Sequence, residues 1–286
     1  GAELAAALDR LRGEIRRERT RPLGSLVALV GAAGGVGTSF LACNLAHMLA
    51  REGAATCLLD LDHQYGTLAA FLDLPPRGLG LAAAIEAAET LDATALQGYV
   101  CRHPSGLDLL TSSQDTVASL ATLAPDRMAL VTQALLQNYR YVVADVPHLL
   151  DPAAAAVVGM ASHVFVVVQQ SVAHVRNAAR LTRLLNGELG LPADRVRIVV
   201  NRHAKGAGVS AEDVAQALKR EPILVPNYYK PARESIDTGV PLLDVEGGSA
   251  LARAVQSVRA VIAGEAPEQK PGFFRRALPI FSRNKT

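Results

Sequence analysis

Seven short runs of Val, Leu, Ile and Ala recur along this chain, at 26–30, 55–60, 107–110, 141–145, 163–168, 196–200 and 222–226. Between them the apolar residues fall at helical spacing, over 39–52, 126–138, 152–160, 172–187 and 211–219. Runs such as "YVVAD" and "HVFVVV" show no polar alternation, so both faces of each strand must be covered. Strands of that kind alternating with helices predict an α/β fold, a mostly parallel sheet with helices on both faces. Two more helices, about 230–238 and 248–264, close the domain.

With 286 residues, 50% of them hydrophobic, the chain can bury a core of one large domain or two small ones. The patterning divides it in three. Residues 1–22 place Leu4, Leu8, Leu11 and Ile15 on one face of a charged helix, read as an amphipathic leader or a connector from an upstream domain. Residues 23–265 hold the strand and helix alternation, and 266–286 shift to a Pro-containing linker and a basic tail. A net charge of +2 gives nucleic-acid binding no bulk support. Three cysteines without metal-like spacing suit reduced thiols in the cytosol. Neither a membrane span nor a signal peptide is evident, so a cytoplasmic protein is expected.

Chemistry enters at "GAAGGVGTS", residues 31–39, between the apolar run "SLVALV" and the helix "FLACNLAHMLA". Four glycines in seven residues exceed what a simple turn needs. The N–H groups of 34–39 can face one concavity at a helix N-terminus, which is an anion site. Read as Gly31-x-x-x-Gly35-x-Gly37, the stretch fits a short-chain dehydrogenase loop, with Asp60 taking a ribose hydroxyl. Such enzymes also carry Tyr-x-x-x-Lys, and none of the six tyrosines here has a lysine four residues on. Read as a P-loop, Gly34, Gly35, Val36 and Gly37 form the cradle, and Ser39 offers a hydroxyl to Mg2+. Thr38 then stands where the lysine belongs. Three acids support this reading: Asp60 and Asp62 at the second core strand, and Asp145 at the tip of "YVVAD" as a Walker B carboxylate. His63 and His148 follow two of these acids and read as ordinary loop histidines.

Together "GGVGTS…NLA", "LLDLDHQYGTLAAFLDL", "YRYVVADVP" and "VVNR" resemble the deviant-Walker ATPases of the MinD/ParA type. "VCRHPSGLDLL", "VRNAARLTRLL" and "VPNYYKPARESIDTGVPLLDV" resemble its CpaE/TadZ branch, proteins of Flp/Tad pilus assembly. The resemblance spans about residues 25 to 265 and implies a twisted sheet of seven or eight strands, ATP or ADP with Mg2+, and a nucleotide-sandwich homodimer. It implies phosphate contacts from Gly34, Gly35, Val36, Gly37, Thr38 and Ser39, and metal contacts from Ser39, Asp60 and Asp145. Asp62 would position the attacking water. Asn201, Arg202, Pro226 and Asn227 would flank the adenine.

Two departures matter. Relatives of MinD carry one loop lysine before the Gly-Gly and one before the Ser/Thr; here these positions are Ala33 and Thr38. Backbone N–H groups, a helix dipole and Mg2+ can still hold phosphates. Hydrolysis suffers more, because losing one donor to the developing charge costs about 100- to 1000-fold. Arg176 is the nearest arginine substitute by position, but with Arg180 and Arg183 it forms one stripe on a helix face. The expectation is a pilus assembly and localisation factor with slow or no ATPase activity. The alternative is a ParA-like ATPase that partitions DNA or other cargo.

In the tail, Phe273, Phe274, Leu278 and Phe281 fall near one face, with Arg275 and Arg276 beside them. That composition suits weak contact with an anionic membrane, and it resembles the membrane-targeting end of MinD. A peripheral position on the inner membrane, and at a cell pole, follows from the resemblance.

Overall fold

The computed structural model describes residues 23–63, 65–75, 78–112 and 124–265. One sheet holds eight strands: β1 Ser25–Gly31, β2 Thr56–Asp60, β3 Cys101–Arg102, β4 Asp108–Leu110, β5 Tyr141–Val146, β6 His163–Val168, β7 Val196–His203 and β8 Ile223–Pro226. Their order is β3-β4-β2-β5-β1-β6-β7-β8, and only the β3–β4 pair is antiparallel. The helices are α1 Thr38–Arg51, α2 Leu68–Phe71, α3 Gly80–Glu86, α4 Ala93–Leu96, α5 Pro125–Asn138, α6 Pro152–Gly159, α7 Val172–Gly187, α8 Ala211–Leu218, α9 Tyr229–Thr238, α10 Leu242–Glu246 and α11 Ala250–Ile262.

Strand periodicity divides the core into two layers. From β1, Leu26, Ala28 and Val30 pack with α5, α6 and α7 through Val131, Val157 and Ala178. Val27 and Leu29 face the other way, onto Leu41 and Leu45 of α1 and Val255 of α11. A strand covered on both sides has no use for polar residues, which is why these runs read as continuous. Truncating a side chain such as Leu29, 1% exposed, would cost about 2–5 kcal/mol.

Helix α1 is buried from Phe40 to Ala50, so its polar residues need partners inside. Asn44 Nδ2 donates to the Phe40 carbonyl at 2.8 Å, and its Oδ1 accepts from the Leu242 N–H at 2.7 Å. That contact ties α10 to the loop-bearing helix. Cys43, Cys57 and Cys101 are free and buried.

The two-residue β3 and the short α2, α3, α4 and α10 show no resolvable period, so the sequence reading lacked them. Strand β7 runs on to His203 through an irregular register after Val200, with Arg202 in left-handed backbone at φ +52°. The leader expected over 1–22, and the tail with Phe273, Phe274, Arg275, Arg276, Leu278 and Phe281, lie outside the described residues. Among the described residues no helix is long and apolar enough to cross a membrane.

Candidate functional site

The glycine loop joins β1, at the centre of the sheet, to the N-terminus of α1. Gly37 caps that helix with φ +94° and brings no capping side chain, so the first-turn N–H groups remain for an anion. The loop is tied from two later strands. Asn201 Nδ2, at the end of β7, donates to the Val36 carbonyl at 2.8 Å, while its Oδ1 accepts from the Arg202 N–H at 2.9 Å. Gln169 Nε2, just past β6, donates to the Gly35 carbonyl at 3.4 Å. A Cβ on Gly37 would lie 2.3 Å from Asn201 Nδ2, so the strap fits only a glycine there.

Parallel pairing sets Asp60 of β2 directly opposite Asp145 of β5. Both carboxyls are buried. Burial raises Asp60 to about 8, with the Asp145 charge adding to the push, against an opposing hydrogen bond from the Asp62 N–H at 3.0 Å. Burial likewise raises Asp145 to about 6, opposed by a hydrogen bond with Ser39 and reinforced by Asp62. Adjacent carboxylates out of water are costly without a cation between or beside them.

Gly34, Gly35, Gly37, Thr38, Ser39, Asp62, Asp145, Asn201, Arg202, Pro226 and Asn227 line one cleft of about 550 Å³, together with Ala33. Val36 and Asp60 stand behind its wall: the Val36 side chain is part of the core, and Asp60 is 2% exposed. His148 also lines the cleft, and its ring lies 3.7 Å from where a Cβ of Gly34 would be. His63 instead faces Asp151, with Nδ1 3.9 Å from Oδ2. Arg176, Arg180 and Arg183 are on the exposed side of α7 and do not line the cleft.

The cleft has a second half that the sequence reading missed. Phe71 of α2, Tyr228, and the face of α9 carrying Tyr229, Ala232, Arg233 and Ile236 form an apolar wall opposite the polar loop. The 3.6-residue period of α9 was legible; which side of it met the site was not. A concavity with backbone donors at one end and aromatic and aliphatic surface at the other suits an anionic group joined to a flat ring.

The donor chemistry fits a magnesium ion with its nucleotide. Ser39 and Asp145, already hydrogen-bonded to each other, are hard oxygen donors. Among the described residues no three His, Cys, Asp or Glu side chains converge to cage a metal. Mg2+ keeps most of its shell as water and phosphate oxygen, so one or two protein oxygens are enough to hold it.

The family described as the CobQ/CobB/MinD/ParA nucleotide binding domain matches residues 27–229. The chain is similar to the septum site-determining protein MinD of Thermotoga maritima, 24% identical over 248 residues that cover 85% of this chain and 89% of that one. It is also similar to the chromosome-partitioning ATPase Soj of Thermus thermophilus, 32% identical over 176 residues, 61% of this chain and 63% of Soj. Its fold matches that of the septum site-determining protein MinD complexed with Mg-ADP from Pyrococcus horikoshii OT3, with a TM-score of 0.72. That match has 16% identity and covers 85% of this chain and 98% of the other.

Proposed function

The chain belongs to the CobQ/CobB/MinD/ParA nucleotide-binding family, and on that premise we propose that it is a nucleotide-controlled assembly and localisation factor for a Tad/Flp type IV pilus. It binds ATP or ADP with Mg2+, pairs with a second copy on ATP, and serves as a scaffold or switch with weak or no hydrolysis. One observation carries this: the cradle of Gly34 to Ser39 is built and strapped, while both lysine positions hold Ala33 and Thr38. Mg2+, when bound, would supply the charge that the loop side chains lack. The loop N–H groups hold the phosphates, Ser39 and Asp145 hold the metal with Asp60 behind them, and Asp62 orients water. Asn201, Arg202, Pro226 and Asn227 border the base. Binding thus outlasts turnover, because ground-state binding tolerates the loss of a cation that the transition state does not.

The pilus assignment rests on the resemblance of 100–110, 175–185 and 225–245 to CpaE/TadZ proteins. In the source cell, Gly37→Ala should remove pili and polar foci together; unaffected pili refute the assignment. Steady-state turnover with Mg-ATP should stay below about 0.01 per second, the scale of a slow GTPase, while Mg-ADP binds measurably. The similarity to Soj supports a second reading, a ParA-like ATPase that partitions DNA or other cargo. That reading requires faster turnover and Mg-ATP-dependent retention of DNA in a mobility-shift assay.

A further inference from the structure

Resting on that nucleotide reading, we infer that Arg202 does more than border the base. Its guanidinium holds the phosphates, bringing from the end of β7 a positive charge that no side chain of the glycine loop carries. Residues 31–39 are only Gly, Ala, Val, Thr and Ser. The Thr38 hydroxyl is turned back to within 2.8 Å of where a Gly31 Cβ would be. Two arginines line the cleft, Arg202 and Arg233. Arg233 is already committed: its Nε lies 3.0 Å from Asp237 Oδ2, and its Nη1 donates to the Tyr229 hydroxyl at 3.0 Å. Arg202 is exposed, and among the described residues no side chain pairs with its guanidinium.

The backbone aims this residue. In a regular strand successive side chains point to opposite faces, so Asn201 and Arg202 would part. Here both line the cleft, because the register of β7 breaks after Val200 and Arg202 takes a left-handed φ of +52°. That conformation is unfavourable for a residue with a β-carbon, and strain of this kind collects at ligand sites. Of the three non-glycine residues with positive φ among those described, Asp73, Arg202 and Lys219, only Arg202 lines the cleft. The turn is pinned before and after it. The Asn201 amide is bonded to the loop at the Val36 carbonyl, the Asn227 N–H donates to the His203 carbonyl at 3.0 Å, and the Ala204 N–H donates to Gln170 Oε1 at 2.8 Å. Asn201 thus touches the loop itself, and Arg202 is the next residue. A guanidinium held there offers phosphate oxygens a planar fork of donors, which suits their geometry.

Calorimetric titration of the full chain with ADP, in constant Mg2+, tests this. Asn accepts left-handed backbone, so Arg202→Asn should melt with the parent while its Mg-ADP affinity falls at least about tenfold. Arg202→Gly, which relieves the strain, replaces it should the Asn variant melt lower. A lysine placed in the loop by Thr38→Lys can replace a phosphate contact but not a base contact. Adding Arg202→Asn to Thr38→Lys should therefore cost under about threefold. Ala33→Lys, on the cleft wall, serves the same purpose should Thr38→Lys melt below the parent. A loss under tenfold in the single variant, or one of threefold or more beside the loop lysine, overturns the inference and leaves nucleotide binding standing. No binding of Mg-ADP by the parent overturns both.

Discussion

Gly35 and Gly37 both have left-handed backbone, at φ +73° and +94°, yet a methyl group would fare differently at each. At Gly35 nothing lies within 4 Å of the added carbon, so Gly35→Ala should cost only the handedness penalty, about 1–2 kcal/mol. At Gly37 the same carbon strikes Asn201 Nδ2 and parts the strap from the loop. Gly37→Ala should lower the melting temperature further and abolish Mg-ADP binding, while Gly35→Ala keeps it; equal effects on affinity would contradict the strap. His47 offers a second test. It is 0% exposed on α1, with Nε2 3.2 Å from Asp244 Oδ2 and neither ring nitrogen in a well-formed hydrogen bond. Burial lowers it from 6.5 to about 4, with Asp244 pulling upward and His103 and Arg51 pushing down. The unfolded chain therefore takes up this proton first, and stability present above pH 6.5 falls as the pH drops toward 4. In urea titrations, His47→Met should flatten that slope. Spacing in the sequence found Ser39 and Asp145, because a strand-tip acid beside a helix start is a local pattern. It did not reveal that the Asn201 amide holds the loop, since that bond spans 165 residues.

Among the elements, the long ones were readable because burial on two faces writes itself as an unbroken apolar run. The short ones were not. Strand β3 has two residues, and it joins the sheet through its pairing with β4, which no local pattern announces. Tertiary ties of the same kind hold α5 to the sheet. The Tyr139 hydroxyl, just past α5, donates to Asp108 Oδ2 at 2.9 Å, and Asp108 is a buried carboxylate at the start of β4. Tyr139→Phe removes the donor and leaves the acceptor in place, a change worth about 1–3 kcal/mol. The urea midpoint should fall accordingly with Mg-ADP affinity unchanged, because this bond lies where β4 begins and the cleft lies where the strands end. A loss of affinity would mean that the sheet transmits strain between its ends. The wall formed by α9 teaches the same lesson: its apolar stripe was visible, its neighbour was not.

For the molecule as a whole, the fold class followed from counting runs, whereas contact with a membrane is an expectation drawn from the composition of a tail outside the described residues. If Phe273, Phe274, Arg275 and Arg276 insert into an anionic surface, removing 270–286 should abolish co-sedimentation with phosphatidylglycerol vesicles. Equal sedimentation of both forms defeats the anchor. Two tails on one dimer would bind more tightly than one, so Mg-ATP should strengthen the parent's binding.

The strand order has a consequence for how such a molecule comes into being. β1 leaves the ribosome before either of its two neighbours, β5 and β6, where Ser25 meets Tyr141 and Val27 meets His163. Translation must pass Val168 before β1 is flanked on both sides, and Asn201 arrives later still. Until β5 is made, a nascent apolar run waits with both edges open, and until β6 is made one edge stays open, the condition under which chains aggregate or recruit chaperones. The loop that marks this family is thus synthesised well before the residues that tie it in place.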